Sequence, residues 1–352
     1  MASTFFKTLK KPFVIAEIGV NHNGDIALAK DLVLKAKATG ADVVKFQSFS
    51  ADTVACRSAL SAPHVDKALG FEGTFYELLE KLSLTHKAQR ELNTFCKQHQ
   101  IPFISTPFSF EDVDFLLSLD VPFLKIGSTD TSHLAFLKYA AESGKPLVLS
   151  TGMSPMAEVE AAVDVILNTG NENLALLHCV SLYPPEAEEL NLKSITALKE
   201  KFPHLTVGFS DHTIGTWACT AAVALGAEII EKHFTLDKKM PGPDHAVSAD
   251  PEELSKIIEE GALVYRALGS LHKTPSEREA GMEKSFRRSI VTRGALAAGT
   301  VIGKEHLDFK RPGTGIHPNR LSQVLGAKTK TAIPADTPIE ESMLELPLPM
   351  KL

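Results

Sequence analysis

Residues 12–19 read PFVIAEIG and residues 227–234 read AEIIEKHF. Both are short and almost continuously apolar, and both end on ionisable groups: Glu17 in one, Glu231 and His233 in the other. A strand with one wet face alternates apolar and polar residues, whereas a strand covered on both faces carries an unbroken apolar run. Six runs of the same kind lie between them: ADVVKFQ (41–47), IPFISTP (101–107), PFLKIGS (122–128), KPLVLSTG (145–152), NLALLHCV (173–180) and LTVGFSD (205–211). Most intervals carry helix signals. Gly40, Gly144, Gly170 and Gly226 stand where a helix would close before the next strand. Ser154-Pro155 opens a segment with Val159, Ala162, Val163 and Ile166 on one face. Asp250-Pro251-Glu252-Glu253 sets an N-cap three residues before a glutamate, ahead of Leu254, Ile257 and Ile258. Eight strand–helix units in about 260 residues predict an α/β fold, a (β/α)8 TIM barrel over residues 1–269. A doubly wound sheet is the alternative.

The pattern changes beyond the barrel. Residues 270–284, SLHKTPSEREAGMEK, are polar and read as a linker. Residues 285–352 hold short runs broken by Gly and Pro, a small β-rich domain expected to lean on a barrel, its own or a partner's. The whole chain has 352 residues, 44% hydrophobic and 23% charged, which is ordinary for a globular protein. Lys and Arg number 37 against 43 Asp and Glu, so no global positive field exists to hold nucleic acid and any anion site must be local. No apolar run reaches the roughly 18 residues of a membrane span. The opening MASTFFKTLKKPF lacks the apolar stretch of a signal peptide. Cys56, Cys96, Cys179 and Cys219 are scattered without a CxxC, and read as reduced, mostly core thiols of a cytoplasmic protein.

Active sites of such barrels sit at the C-terminal ends of the strands, and here every end carries polar groups. In order they are Glu17; Lys45 and Gln47; Ser105, Thr106 and Ser109; Lys125 and Ser128; Ser150 and Thr151; His178, Ser181 and Tyr183; Ser210, Asp211 and His212; Glu231 and His233. His212 and His233 are 21 residues apart, one strand–helix unit, so they end adjacent strands and can meet one divalent ion with positions left for water and substrate. The other reading is two hydrogen-bonded interior histidines. Lys45 and Lys125, with the hydroxyls of Ser128, Ser150 and Ser210, suit a phosphorylated anion. Either lysine could instead pair with a local carboxylate. Glu17, Asp130, Tyr183, Asp244 and His245 are the acid–base and sugar-contact candidates, with Glu17 also readable as a structural partner of a lysine. His22 reads as a loop hydrogen-bonder, and PGPDH (241–245) as a turn near the site.

The string IAEIGVNHNGD, followed by VVKFQSF, STPFS, FLKIGS, LSTGM, LHCVSLYPP, GFSDHT, EKHFTLDK and PGPDH, resembles the sialic acid (nonulosonic acid) synthase family. RRSIV, AAGTVI and KRPGTGIHP resemble that family's C-terminal antifreeze-like, or SAF, domain of β-clip type. The resemblance implies a metal-dependent condensation of phosphoenolpyruvate with an N-acylated hexosamine such as N-acetylmannosamine, with C–O cleavage and no organic cofactor. It implies His212 and His233 as metal ligands, usually for manganese, with magnesium or cobalt as alternatives. Lys45, Lys125, Ser128, Ser150 and Ser210 become phosphoenolpyruvate contacts, and Gln47, Thr106 and Ser181 are counted with the substrate contacts. Glu17 handles the proton of the attacking water, and Tyr183 and Asp244 touch the amino sugar. Arg311 is the arginine that one subunit inserts into its partner's barrel, which implies a domain-swapped homodimer. Thr129-Asp130 stands where the family commonly has Gly-Glu, and Asp130 keeps a carboxylate there. PGPDHAVS resembles the sialic and legionaminic branches more than the pseudaminic one, and a spore-coat polysaccharide relative has similar motifs. A Schiff-base aldolase using Lys125 and a noncatalytic carbohydrate-binding protein are the rival readings.

Overall fold

The computed structural model describes residues 6, 11–59 and 74–345. The chain forms two compact units, residues 1–269 and 270–352.

The first unit is built on eight parallel strands: β1 Phe13–Gly19, β2 Val43–Ser48, β3 Phe103–Pro107, β4 Leu124–Ile126, β5 Leu147–Ser150, β6 Leu174–Cys179, β7 Thr206–Asp211 and β8 Ile229–His233. The ladder order is β3-β2-β1-β8-β7-β6-β5-β4, and β3 packs against β4 to complete the ring. β1 pairs with both β2 and β8. With the two ends of the ladder, β3 and β4, packed together, the sheet closes on itself and the doubly wound alternative falls away. Helix signals act as read. Met156–Leu167 buries Val159, Ala162, Val163 and Ile166. Pro251–Leu268 starts from Asp250, whose side chain accepts from the Glu253 amide 2.9 Å away.

Strand parity places the site. Ile15, Val43, Ile104, Phe123, Val148, Leu177 and Ile229 form one buried plug inside the ring. Two residues farther along each strand, on the same face, come Glu17, Lys45, Thr106, Lys125, Ser150, Cys179 and Glu231. A polar layer therefore rests directly on an apolar floor. In β7 the plug position is Gly208, because a Cβ there would approach Leu177 Cδ2 to 2.6 Å. The opposite parity faces the helical layer. His178 belongs to it, its Nε2 lying 2.7 Å from the Leu190 carbonyl oxygen, and is therefore not a site residue.

One excursion has no counterpart in the strand–helix reading. Between β2 and β3 the chain adds Ala51–Val54 and Phe75–Leu82 before the barrel helix His86–Gln98. Phe75–Leu82 is started by a capping box: Thr74 accepts from the Glu77 amide, and Glu77 accepts from the Thr74 amide. Its inner face joins Val20, Phe49, Leu78 and Leu82 in a small apolar cluster of their own.

The second unit pairs β9 Ser289–Thr292 with β10 Leu307–Lys310 and β11 Lys328–Thr329 with β12 Leu344–Glu345, both antiparallel. Its core is separate, and includes Ile290, Ile302, Leu307, Val324 and Ile339. Among the described residues no helix is long and apolar enough to cross a membrane.

Candidate active site

A cavity of about 300 Å³ opens at the C-terminal ends of the strands. On its floor lies a quartet of buried charges. Lys45 Nζ is 2.8 Å from Glu17 Oε2 and 3.8 Å from Glu231 Oε2, and Lys125 Nζ is 3.6 Å from Glu231 Oε1. Hydroxyls and an amide fill the remaining positions. Lys45 donates to Thr106 Oγ1 (3.1 Å), Lys125 to Ser150 Oγ (2.7 Å), Gln47 to Glu17 (3.2 Å) and Ser210 to Glu231 (2.9 Å). Both lysines thus have carboxylate partners, and the quartet is neutral when both carboxyls are ionised.

The groups do not titrate alike. Burial pushes Glu17 up to about 7, with Lys45 opposing and Glu231 reinforcing. Burial would raise Glu231 too, but Lys125 and Lys45 hold it below the usual carboxylate range. Burial keeps Lys125 below an ordinary lysine, whereas the carboxylates of Glu17 and Glu231 overcome burial at Lys45 and raise it. One carboxyl near neutrality beside one firmly ionised is the division of labour that acid–base chemistry requires.

Above the quartet stand two imidazoles with ring centres 5.4 Å apart. His212 Nδ1 lies 2.7 Å from the Val180 carbonyl oxygen, so that nitrogen is the donor, and in the neutral ring Nε2 carries the lone pair. This is the backbone support that orients a metal-ligating histidine. His233 Nδ1 is buried without a hydrogen-bond partner, Asp244 Oδ2 standing 3.6 Å away. A divalent ion fits such a pair. Among the described residues no group of three or more His, Cys, Asp or Glu side chains could hold a metal ion, so an ion here would complete its shell with water or substrate. Tyr183 stacks on His212 at 4.0 Å between ring centres and walls the cavity beside Ser181. Burial pushes Asp244 up to about 6.

Ser128 closes the far side, accepting from the Gly152 amide at 2.9 Å. Gly152 has no room for a side chain, since a Cβ would reach within 2.8 Å of Ser128 Oγ and would also strike Ser181 Oγ. The cavity therefore gathers Glu17, Lys45, Gln47, Thr106, Lys125, Ser128, Ser150, Ser181, Tyr183, Ser210, His212 and His233. Asp244 lines the adjoining cavity instead. Asp130 is not among the lining residues of either. It sits half-buried in the turn Ser128–Asp130, accepting from Thr129 Oγ1 at 3.0 Å, and Thr129 takes the lining position. Arg311 belongs to the second unit, exposed, with its guanidinium 5.0 Å from the centre of the Phe286 ring. His22 holds the NHNG turn, its Nδ1 accepting from the Gly24 amide at 3.0 Å.

Two residues take roles in the structure that the sequence reading did not assign to them. Glu231 links both lysines, and its place two residues past Ile229 was readable by parity. Cys179 lines the cavity and is no core thiol. Burial would raise its pKa, but His212, Ser128 and Lys125 together hold it below the ordinary thiol value.

Comparison with known proteins places the chain. Residues 32–273 match the NeuB family and residues 287–345 match the SAF domain. The N,N'-diacetyllegionaminic acid synthase of Legionella pneumophila is 42% identical over 329 residues, 92% of each chain. The N-acetylneuraminate-9-phosphate synthase of Homo sapiens is 34% identical over 334 residues, 95% of this chain and 92% of that one. The solved N-acetylneuraminic acid synthetase from Leptospira borgpetersenii serovar Hardjo-bovis superposes with a TM-score of 0.69 at 33% identity, covering 77% of this chain and 90% of that one. With the barrel, the tail and relatives of near-equal length all in agreement, the chain belongs to the NeuB family of sugar acid synthases and carries a C-terminal SAF domain.

Proposed function

We propose that the protein condenses phosphoenolpyruvate with the open-chain form of an N-acylated hexosamine to give a nine-carbon 2-keto acid and inorganic phosphate. The observation that carries this reading is the neutral Glu17–Lys45–Lys125–Glu231 quartet beside two imidazoles in one cavity. A bond forms between C3 of the enol phosphate and the aldehyde carbon, water adds at C2, and the C2–O bond to phosphate breaks. One water proton balances the new sugar hydroxyl and the other leaves with the phosphate. Lys45 and Lys125, with Ser128, Ser150 and Ser210, hold the phosphate and carboxylate. Glu17, titrating near 7, takes the proton of the attacking water. His212 and His233 would hold a divalent ion, manganese by the family resemblance, which when bound supplies Lewis-acid polarisation of the aldehyde oxygen. Tyr183 and Asp244 border the space left for the sugar.

A domain-swapped homodimer belongs to the same proposal, with Arg311 of one chain completing the site of the other. Supporting it, Met153, Leu182 and Ile214 are exposed on the loops after β5, β6 and β7, and Trp217 at the start of the next helix, an apolar rim that a second domain would cover.

Phosphate release from phosphoenolpyruvate with manganese is the test. Release is expected to need an N-acyl hexosamine and to stop with EDTA. Release without sugar, or unaffected by EDTA, would remove the proposal. The pH profile checks Glu17 separately. Its carboxyl must be ionised to accept a proton, so kcat/KM is expected to rise about tenfold per unit below an apparent pKa near 7 and then level off. The linked stability runs the other way. The folded state holds a proton that the unfolded chain releases, so this group's contribution declines as pH rises from 4.5 to about 7. A flat activity profile across that range would take Glu17 out of its role.

A further inference from the structure

We infer that Asn21 and Ser248 are positioning residues: a buried hydrogen-bond chain through them holds Asp244 against His233 without touching substrate. The inference deepens the synthase reading above and rests on Asp244 bordering the sugar. Asp244 lines a second cavity of about 340 Å³ beside the catalytic one, walled also by Leu78, Leu79 and Leu82. Among the described residues its carboxylate accepts no hydrogen bond, and Oδ2 stands 3.6 Å from His233 Nδ1. The carboxylate is therefore placed through its backbone.

That backbone is tied down from the turn after β1. The loop carrying Asp244 leaves β8 and returns beside it, the Ala249 amide donating to the His233 carbonyl at 2.7 Å and the Thr235 amide to the Ala249 carbonyl at 3.0 Å. Within the loop, Ser248 Oγ donates to the Asp244 carbonyl at 2.7 Å. A hydroxyl has one hydrogen, so toward Asn21 the same oxygen accepts, and Asn21 Nδ2 donates to it at 2.8 Å. The second hydrogen of that amide goes to the Phe234 carbonyl at 2.9 Å. Carbonyl oxygens at both ends only accept, so every direction in the chain is fixed. One side chain thus grips both the residue after His233 and the relay to Asp244. Asn21 and Ser248 are 0% and 2% exposed, and neither lines either cavity. Among the described residues Asn21 Oδ1 is buried without a partner. A residue that only filled this space would be apolar, so the amide is there for its two donations. Asn23, two residues on, ties the tip of the loop, its Nδ2 donating to the Pro241 carbonyl at 2.9 Å.

The test measures phosphate release from phosphoenolpyruvate and N-acetylmannosamine with manganese and, without substrates, hydrogen exchange across residues 235–249. Ser248→Ala removes the relay and little volume. Its KM for the sugar is expected to rise about 10- to 100-fold, the cost of letting a supported group drift, with KM for phosphoenolpyruvate moving less than about twofold. A loss of folded protein alone would lower kcat and leave both KM values in place. Asn21→Ala and the double variant are expected to share one sugar KM within about threefold, as links of a single chain do. Asn23→Asp drops the tip donor while suiting the φ of +50° at that half-buried position, and should raise the sugar KM about threefold. Ser255→Ala, which removes a similar bond to the Pro251 carbonyl in the helix Pro251–Leu268, should change neither KM. The Val247 and Ser248 amides, which donate to the Asp244 and His245 carbonyls, are expected to exchange about tenfold faster in Ser248→Ala and at the original rate in Ser255→Ala. Equal rises in both KM values, multiplying effects of Asn21→Ala and Ser248→Ala, or loop exchange unmoved in Ser248→Ala would overturn the inference. If the unmodified protein releases no phosphate while exchange quickens in Ser248→Ala, the synthase reading fails for this sugar and the anchoring of Asp244 stands. If exchange is unmoved as well, both fail.

Discussion

Asp211→Ala is expected to destabilise the barrel unit by about 3–5 kcal/mol, a large share of the 5–15 kcal/mol that usually holds a domain together. Asp211 and Lys232 have opposite parity to the site residues, and their side chains meet in the helical layer at 2.7 Å, both 0% exposed. Asp211 also accepts from the Thr213 amide (2.9 Å), the Thr213 hydroxyl (3.0 Å) and Cys219 Sγ (3.2 Å). Lys232 donates to Asp211 and to the Thr213 carbonyl. Removing the carboxylate leaves a buried ammonium with a single carbonyl acceptor, which costs far more than the pair contributes. Asp211→Leu with Lys232→Met removes both charges and is expected to recover most of the loss. The exposed pair Lys138–Glu142 sets the contrast: Glu142→Gln should change stability by less than about 0.5 kcal/mol. The buried pair also bears on function. Asp211 and Lys232 immediately precede His212 and His233, so one ion pair clamps the two strand ends that carry the imidazoles. In Asp211→Ala, manganese affinity is expected to fall about 10- to 100-fold alongside stability, as for other supports of a ligating side chain. Urea unfolding and metal titration measure the two effects, and a stability loss under about 1 kcal/mol would refute the argument.

The barrel was legible because each strand is covered on both faces, and continuous apolar runs survive in the sequence as a direct record of that burial. Site position followed from the strand ends. Which residue of each end faces inward follows only from parity, and there the plain inventory of polar groups falls short. His178 and Ser105 are polar and terminal yet point to the helices or lie beneath the cavity layer, while Cys179, read as core, lines the site. Pairing was less legible still. That Glu231 would bridge Lys45 and Lys125 depends on distances between β2, β4 and β8, which no local pattern encodes. Asp130 was read among the acid–base candidates for its carboxylate, whereas its neighbour Thr129 is the one that lines the cavity. The wall of the second cavity was missed because the alternation of strands and helices drew no attention to the interval between β2 and β3. The Thr74–Glu77 capping box ahead of Leu78, Leu79 and Leu82 was the available signal.

Lys125→Met is expected to lower kcat/KM for phosphoenolpyruvate by about 100- to 1,000-fold, the usual cost of losing one charged donor from a water-excluded site. The side chain is 2% exposed, and methionine is apolar and of similar length, so the chain should still fold. What changes is the charge. With both carboxyls ionised, the quartet passes from two cations and two anions to one cation and two anions, and an incoming phosphate then meets net negative charge at the floor of the cavity. Ser150 Oγ, which accepts from Lys125 at 2.7 Å, loses its fixed orientation as well. A Schiff-base enzyme would also lose activity in this variant, so trapping with borohydride is run on the unmodified protein, where no covalent adduct is expected. The same variant then tests the swapped dimer. Lys125→Met spoils a barrel but keeps Arg311, and Arg311→Ala keeps the barrel but spoils the arginine. When the two chains are co-expressed, a mixed dimer with exchanged domains pairs one intact barrel with one intact arginine. If half the dimers are mixed and one of their two sites is whole, about a quarter of full activity returns. Activity no higher than that of the two variants measured separately would place Arg311 at its own chain's site or at none.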